Sequence, residues 1–86
     1  MKPLVLEIPG EVVEAMRLPD DEKSPRARLE LAIGFYSQGI LGLGLAAQLA
    51  GLARWEMNDV LARRQIPMHY GAEELAEDVT HGGGRQ

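Results

Sequence analysis

Gly42 to Gln65 reads GLGLAAQLAGLARWEMNDVLARRQ, two short helix-forming runs with Gly51 between them. Counted from Leu43, small Ala47 falls fifth, where two helices joined by a tight turn pass closest and a larger side chain would push them apart. Gly51 falls ninth, where the turn favours a residue that takes positive φ cheaply. Apolar Ala46, Ala50, Leu52, Met57 and Val60 take the positions that must face inward. The spacing predicts a helix from Leu43 to about Ala50, a turn at Gly51 and a helix from Arg54 to about Arg64, which together make a helix-turn-helix.

Upstream of this pair, Ser24-Pro25 is a helix start, a hydroxyl followed by proline, and the helix is expected to run to about Gln38. Leu29, Ala32, Ile33 and Tyr36 recur at helical spacing, so this helix is the expected scaffold for the pair. Gly34 inside it marks a possible close helix crossing, and Gly39 is the expected stop. Asp20 to Lys23 reads as a solvated connector after Pro19, and Glu11 to Leu18 as a short helix. Further upstream, Leu4, Leu6 and Ile8 alternate with Val5 and Glu7, the pattern of a short half-buried strand begun by Pro3 and ended by Pro9-Gly10. Such a strand needs a mate, either a second short strand or the same strand of another subunit.

Downstream, Ile66-Pro67-Met68-His69-Tyr70 is expected to be extended, because proline disfavours helix at the residue before it. Residues 72–79 read as a short acidic helix with Leu75 and Val79 on one side, and residues 80–86, with three successive glycines, as a disordered tail. The expected architecture is mainly α: a single helix-turn-helix domain over residues 1–79 with short N-terminal and C-proximal β-strands.

The 86 residues make one domain, with 45% apolar and only 5% aromatic residues, so the core must be aliphatic. A chain this short buries only about 60–65% of its unfolded surface, and a second subunit would help it. With no cysteine, disulfides and thiolate metal sites are excluded. Met1-Lys2 leads into the strand-like segment rather than a signal sequence, and the longest apolar window, Ile40 to Ala53, is short of the ~20 residues of a bilayer span. A cytoplasmic protein without membrane contact is expected.

The net charge of −4 is unevenly spread, with −2 over residues 1–38, +1 over 39–70 and −3 over 71–86. The one basic region holds the helix-turn-helix, but a nonspecific DNA binder driven by counterion release would carry more positive charge. If the last helix of the pair reads DNA, its outward side chains are Arg54, Trp55, Asn58 and Asp59, with Ala53 and Ala62 beside them. Arg54 suits guanine or phosphate, Asn58 suits adenine, and Arg63 and Arg64 suit the phosphate backbone. Asp59 is unfavourable there. The alternative for Arg54 and Asn58 is an ordinary surface role, and for Trp55 a core or subunit anchor.

In the acidic tail, Glu73, Glu74, Leu75, Glu77, Asp78 and Val79 form an amphipathic acidic stretch suited to the basic groove of a partner, or else to capping its own domain. Gly42-Leu43-Gly44-Leu45-Ala46-Ala47 matches G-x-G-x-x-A formally, but it lacks the preceding strand and the βαβ length of a dinucleotide site. His69 and His81 are twelve apart with no ligand pattern around them, and no nucleophile–base set can be assembled. No cofactor, metal or enzymatic chemistry is expected.

The run from Gly39 to Glu56, GILGLGLAAQLAGLARWE, followed by Leu61, Arg64 and Ile66-Pro67-Met68-His69-Tyr70, resembles the UPF0175 family of small prokaryotic proteins. There a segment G-x-x-S-L-G-x-A-A-x-L-A-G-x-S-R-W-E leads to an I-P-x-x-Y strand, and Leu6-Glu7-Ile8-Pro9 with Glu11-Val12-Val13 is similar to the family's opening. The resemblance covers about residues 4–79. It implies an antitoxin-like protein that binds DNA, operator DNA being the expected target, through the helix-turn-helix and a PIN-domain-type toxin through its C-terminal segment; a homodimer is expected separately, from the small size of the chain. By position, Arg54, Trp55 and Glu56 match the R-W-E motif, and Gly44, Ala46, Ala47 and Gly51 the helix-turn-helix frame. Gly42 and Ala53 stand where the family places serine, which loses two side-chain N-caps and a hydroxyl suited to phosphate, and Leu45 replaces a polar position. The competing expectation is a helix-turn-helix interaction module that contacts only protein.

Overall fold

The computed structural model describes residues 1–69, and in them four helices follow one another: α1 (Gly10–Ala15), α2 (Asp20–Ser37), α3 (Leu43–Ala50) and α4 (Arg54–Arg63). α2 packs on α3, and α3 packs on α4. The core lies between these three, from Ala32, Ile33 and Tyr36 of α2 through Leu43, Ala46 and Ala47 of α3 to Met57 and Leu61 of α4. Tyr36, Met57 and Leu61 are the largest fully buried side chains, each worth about 1.5–3 kcal/mol of burial. Ala46 and Ala47 are small where α3 is packed on both sides, as their spacing requires.

The expected β-strands are a correction. Among the described residues no strand forms, either over residues 4–8 or over 66–69. Alternating side chains satisfy a sheet only when a second strand supplies backbone partners, and nothing in the described chain lies alongside either segment in that way. Residues 66–69 instead lie against α2, as described below.

α2 also starts earlier than Ser24-Pro25 suggests. Pro19 takes the N-cap position, and Asp20, Asp21 and Glu22, expected as a connector, form the first turn. Three carboxylates sit there at the positive end of the helix dipole, and Lys23 pairs with Asp20 at 3.1 Å. Pro25 is carried inside the helix, where it removes one backbone bond near the N-terminal end. Gly34 marks no crossing, since a Cβ built there meets nothing within 4 Å.

All three helices of the core end with the same closure. After α2, Ile40 N–H reaches Phe35 C=O at 2.8 Å and Gly39 N–H reaches Tyr36 C=O at 3.0 Å, with Gly39 at φ 76°. After α3, Leu52 N–H reaches Ala47 C=O at 2.9 Å and Gly51 N–H reaches Gln48 C=O at 3.1 Å, with Gly51 at φ 75°. After α4, Ile66 N–H reaches Leu61 C=O at 2.9 Å and Gln65 N–H reaches Ala62 C=O at 3.0 Å. These are Schellman motifs, in which a left-handed residue lets two N–H groups satisfy the last carbonyls. In the third the left-handed residue is Gln65, at φ 57°, although L side chains disfavour that region.

The fourth closure is a side-chain latch. Tyr36 Oη accepts the His69 backbone N–H at 2.6 Å and donates to the Met68 sulfur at 3.9 Å. The Tyr36 carbonyl, already near the end of α2, accepts from His69 Nε2 at 2.9 Å, and the two rings meet at a centroid distance of 4.8 Å. A carbonyl only accepts, so His69 carries its ring hydrogen on Nε2. The latch draws residues 66–69 back across the end of α2.

Candidate nucleic-acid interface

α4 turns at 3.6 residues per turn, so Trp55, Asn58 and Ala62 share one face, with Asp59 beside them. The opposite face carries Met57 and Leu61, both buried. Burial of that face fixes the direction of the outer one: Arg54, Trp55, Asn58, Asp59 and Ala62 are all exposed. Trp55 is 71% exposed and takes no part in the core of the described residues. A tryptophan so placed, one helical turn from an exposed amide, presents a stacking surface and a two-way hydrogen-bonding group to the same side.

The start of α4 is capped without a hydroxyl. Ala53 holds the extended N-cap conformation and Glu56 Oε1 accepts its N–H at 2.8 Å, one half of a capping box. Ala53 has no oxygen to complete the other half. Gly42 likewise gives α3 no side-chain cap. Glu56, matching the last position of the R-W-E motif, therefore has a structural role at the turn between α3 and α4.

The two arginines expected at the phosphate backbone are both paired with carboxylates. Arg63 pairs with Asp59 one turn before it, the favoured acid-first order on a helix. Arg64 follows Met57 by seven residues and Leu61 by three, so it points toward α2 rather than along the outer face. There both its terminal nitrogens meet the two Glu30 oxygens at 2.8 Å, and Arg26 Nε reaches Glu30 at 2.8 Å as well. The Arg64 guanidinium first, then that of Arg26, hold the Glu30 carboxyl down to about 2 from its ordinary 4.5. The same pair raises Arg64.

The structure thus brings Arg54, Trp55 and Asn58 together on the outer side of α4 and separates Arg64 from them. Helical spacing places Glu30 and Arg26 of α2 away from the Leu29, Ala32, Ile33 and Tyr36 side. Their own spacing of four is legible, but the pairing of Glu30 with a residue 34 positions away has no local signal. The acidic stretch Glu73, Glu74, Leu75, Glu77, Asp78 and Val79 lies outside the described residues. Among the described residues no group of three or more His, Cys, Asp or Glu is placed to hold a metal ion, and no helix is long and apolar enough to cross a membrane.

Comparison with known proteins places this arrangement in a family. No solved structure matches the chain. A protein of Aeropyrum pernix named "UPF0175 protein" is 45% identical over 76 residues, which cover 88% of this chain and 81% of the relative. One of Archaeoglobus fulgidus with the same name is 43% identical over 53 residues, 62% of this chain and 61% of the relative. A third UPF0175 protein, of Synechocystis sp., is 35% identical over 52 residues and is spanned for only 58% of its length. Residues 1–83 match the "Uncharacterised protein family (UPF0175)", and the chain belongs to that family.

Proposed function

We propose that this protein is an antitoxin-like regulator that acts in the cytoplasm as a homodimer. Its α4 contacts operator DNA, including its own promoter, and its acidic C-terminal segment neutralises a PIN-domain-type toxin. The observation that carries the DNA half is the pairing of faces on α4. Met57 and Leu61 anchor one side in the core, while Arg54, Trp55 and Asn58 stand exposed on the other. An aromatic face, an amide and a guanidinium on a fixed helix match the chemistry of base and phosphate contact. The mechanism is binding, with no covalent step. The toxin half rests on the resemblance and on the −3 charge of residues 71–86.

The carboxylate partners of Arg63 and Arg64, with a net charge of −4, favour a second reading, an interaction module whose α4 meets protein alone. Titration of the promoter fragment separates the two. The DNA reading expects affinity to fall with salt, by close to one logarithmic unit per tenfold change for each phosphate neutralised, and to drop with Arg54→Ala and Asn58→Ala. Binding that ignores salt and survives Arg54→Ala removes it. Co-purification with the product of the adjacent reading frame tests the toxin half, using the full chain and a version ending at Tyr70. Capture by both versions, or by neither, removes the tail from that role.

A further inference from the structure

We propose that the N-terminal arm, residues 4–8, with the outer side of α1 is the surface through which two copies of this chain associate, an inference that rests on the homodimer reading above. Leu4, Val5 and Leu6 are 85%, 79% and 62% exposed, followed by Ile8 at 47% and Val12 at 48%. α1 buries no residue, and the core is complete between Ala32 and Leu61 without any of them. Single exposed apolar residues need no explanation, but five within nine positions form a patch. At these exposures the five residues leave on the order of 600 Å² open, most of the ~800 Å² that each partner contributes to a standard interface.

The occupant that fits is a second copy. The chain's own acidic segment, residues 71–86, offers only Leu75 and Val79 as large aliphatic side chains and carries −3. Residues 1–18 are themselves at −1, so that contact would bring like charges together. The arm, by contrast, complements itself. Lys2 and Glu7 bracket Leu4, Val5 and Leu6, its three most exposed apolar residues, with opposite charges. A twofold axis between two arms running in opposite directions sets Lys2 of one copy toward the partner's Glu7, and does so twice, because a twofold contact repeats each pairing. The apolar residues then face their own kind between two ion pairs.

Sedimentation equilibrium of the full chain over about 1–100 μM tests this. Wild type is expected to dimerise, and Leu4→Asp/Leu6→Asp to weaken the dimer by about 100-fold with unchanged helical circular dichroism, since neither residue touches the core. Lys2→Glu alone is expected to weaken association several-fold and Lys2→Glu/Glu7→Lys to restore it, a rescue that does not depend on the apolar variant folding. A wild type that stays monomeric overturns both the homodimer reading and this surface. A dimer that persists unchanged in the apolar variant, or a charge swap that restores nothing, leaves the homodimer standing and removes the arm from its interface.

Discussion

Glu30 in α2 and Arg64 at the end of α4 meet through two hydrogen bonds, both 2.8 Å long, across 34 residues of sequence. This ion pair joins the scaffold helix to the end of the helix that carries the proposed interface. With 46% and 36% of the two side chains open to water, solvent screens it.

Glu30→Gln is therefore expected to lower stability at pH 7 by only about 0.5–1 kcal/mol. A folded carboxyl at about 2, against an ordinary 4.5, stabilises the fold fully above 4.5 and loses that contribution as pH falls toward 2. The variant should show a shallower decline than wild type across that window in urea titrations. Parallel declines would mean that the pair does not persist in solution.

Gly34→Ala is expected to raise stability. The added methyl meets no atom within 4 Å, and alanine in a helix interior is worth up to ~1 kcal/mol over glycine. For a domain of this size that is several degrees in the melting temperature, and a fall would contradict the open space at this position.

The positions that close α3 and α4 should respond in opposite directions. Gly51→Ala forces an L side chain to φ 75° and is expected to cost about 1–2 kcal/mol. Gln65→Gly relieves the same conformation at φ 57°, partly offset by the greater backbone entropy of glycine, for a net gain of about 0.5 kcal/mol. Thermal melts of the two variants check both signs at once.

Tyr36→Phe keeps the buried ring and removes the hydroxyl that accepts from His69 and donates to Met68. A loss of about 1–2 kcal/mol is expected, with faster amide exchange at His69 while the α3 amides keep their relative protection. Unchanged exchange at His69 would show that the latch is held by packing alone.

The local features of this fold were legible and the distant ones were not. Gly39 and Gly51 announced the ends of α2 and α3 because a left-handed closure is specified within six residues. Gln65 closes α4 in the same way without a glycine to signal it. The alternation of Leu4, Leu6 and Ile8 described a pleated face but not a mate, so a strand was expected where none forms. Ser24-Pro25 imitated a helix start, whereas the acidic turn at Asp20 begins α2. Of the site, the exposure of Asn58 follows from helical spacing, whereas for Trp55 spacing left an outward position and a core or subunit anchor both open. The engagement of Arg64 by Glu30 depends on how α2 and α4 lie together, which periodicity does not encode.

The three Schellman closures have a kinetic consequence. Each reversal of the chain between α2 and residue 66 is decided by neighbours no more than six residues apart, so little loop-closure entropy stands between the unfolded chain and the core. Proteins built from such short-range contacts fold on the microsecond to millisecond scale. The α2–α4 unit is therefore expected to form soon after its last helix leaves the ribosome. On the dimer proposed above, the arm, synthesised first, would acquire its contacts last, in a second-order step whose rate follows the concentration of finished chains.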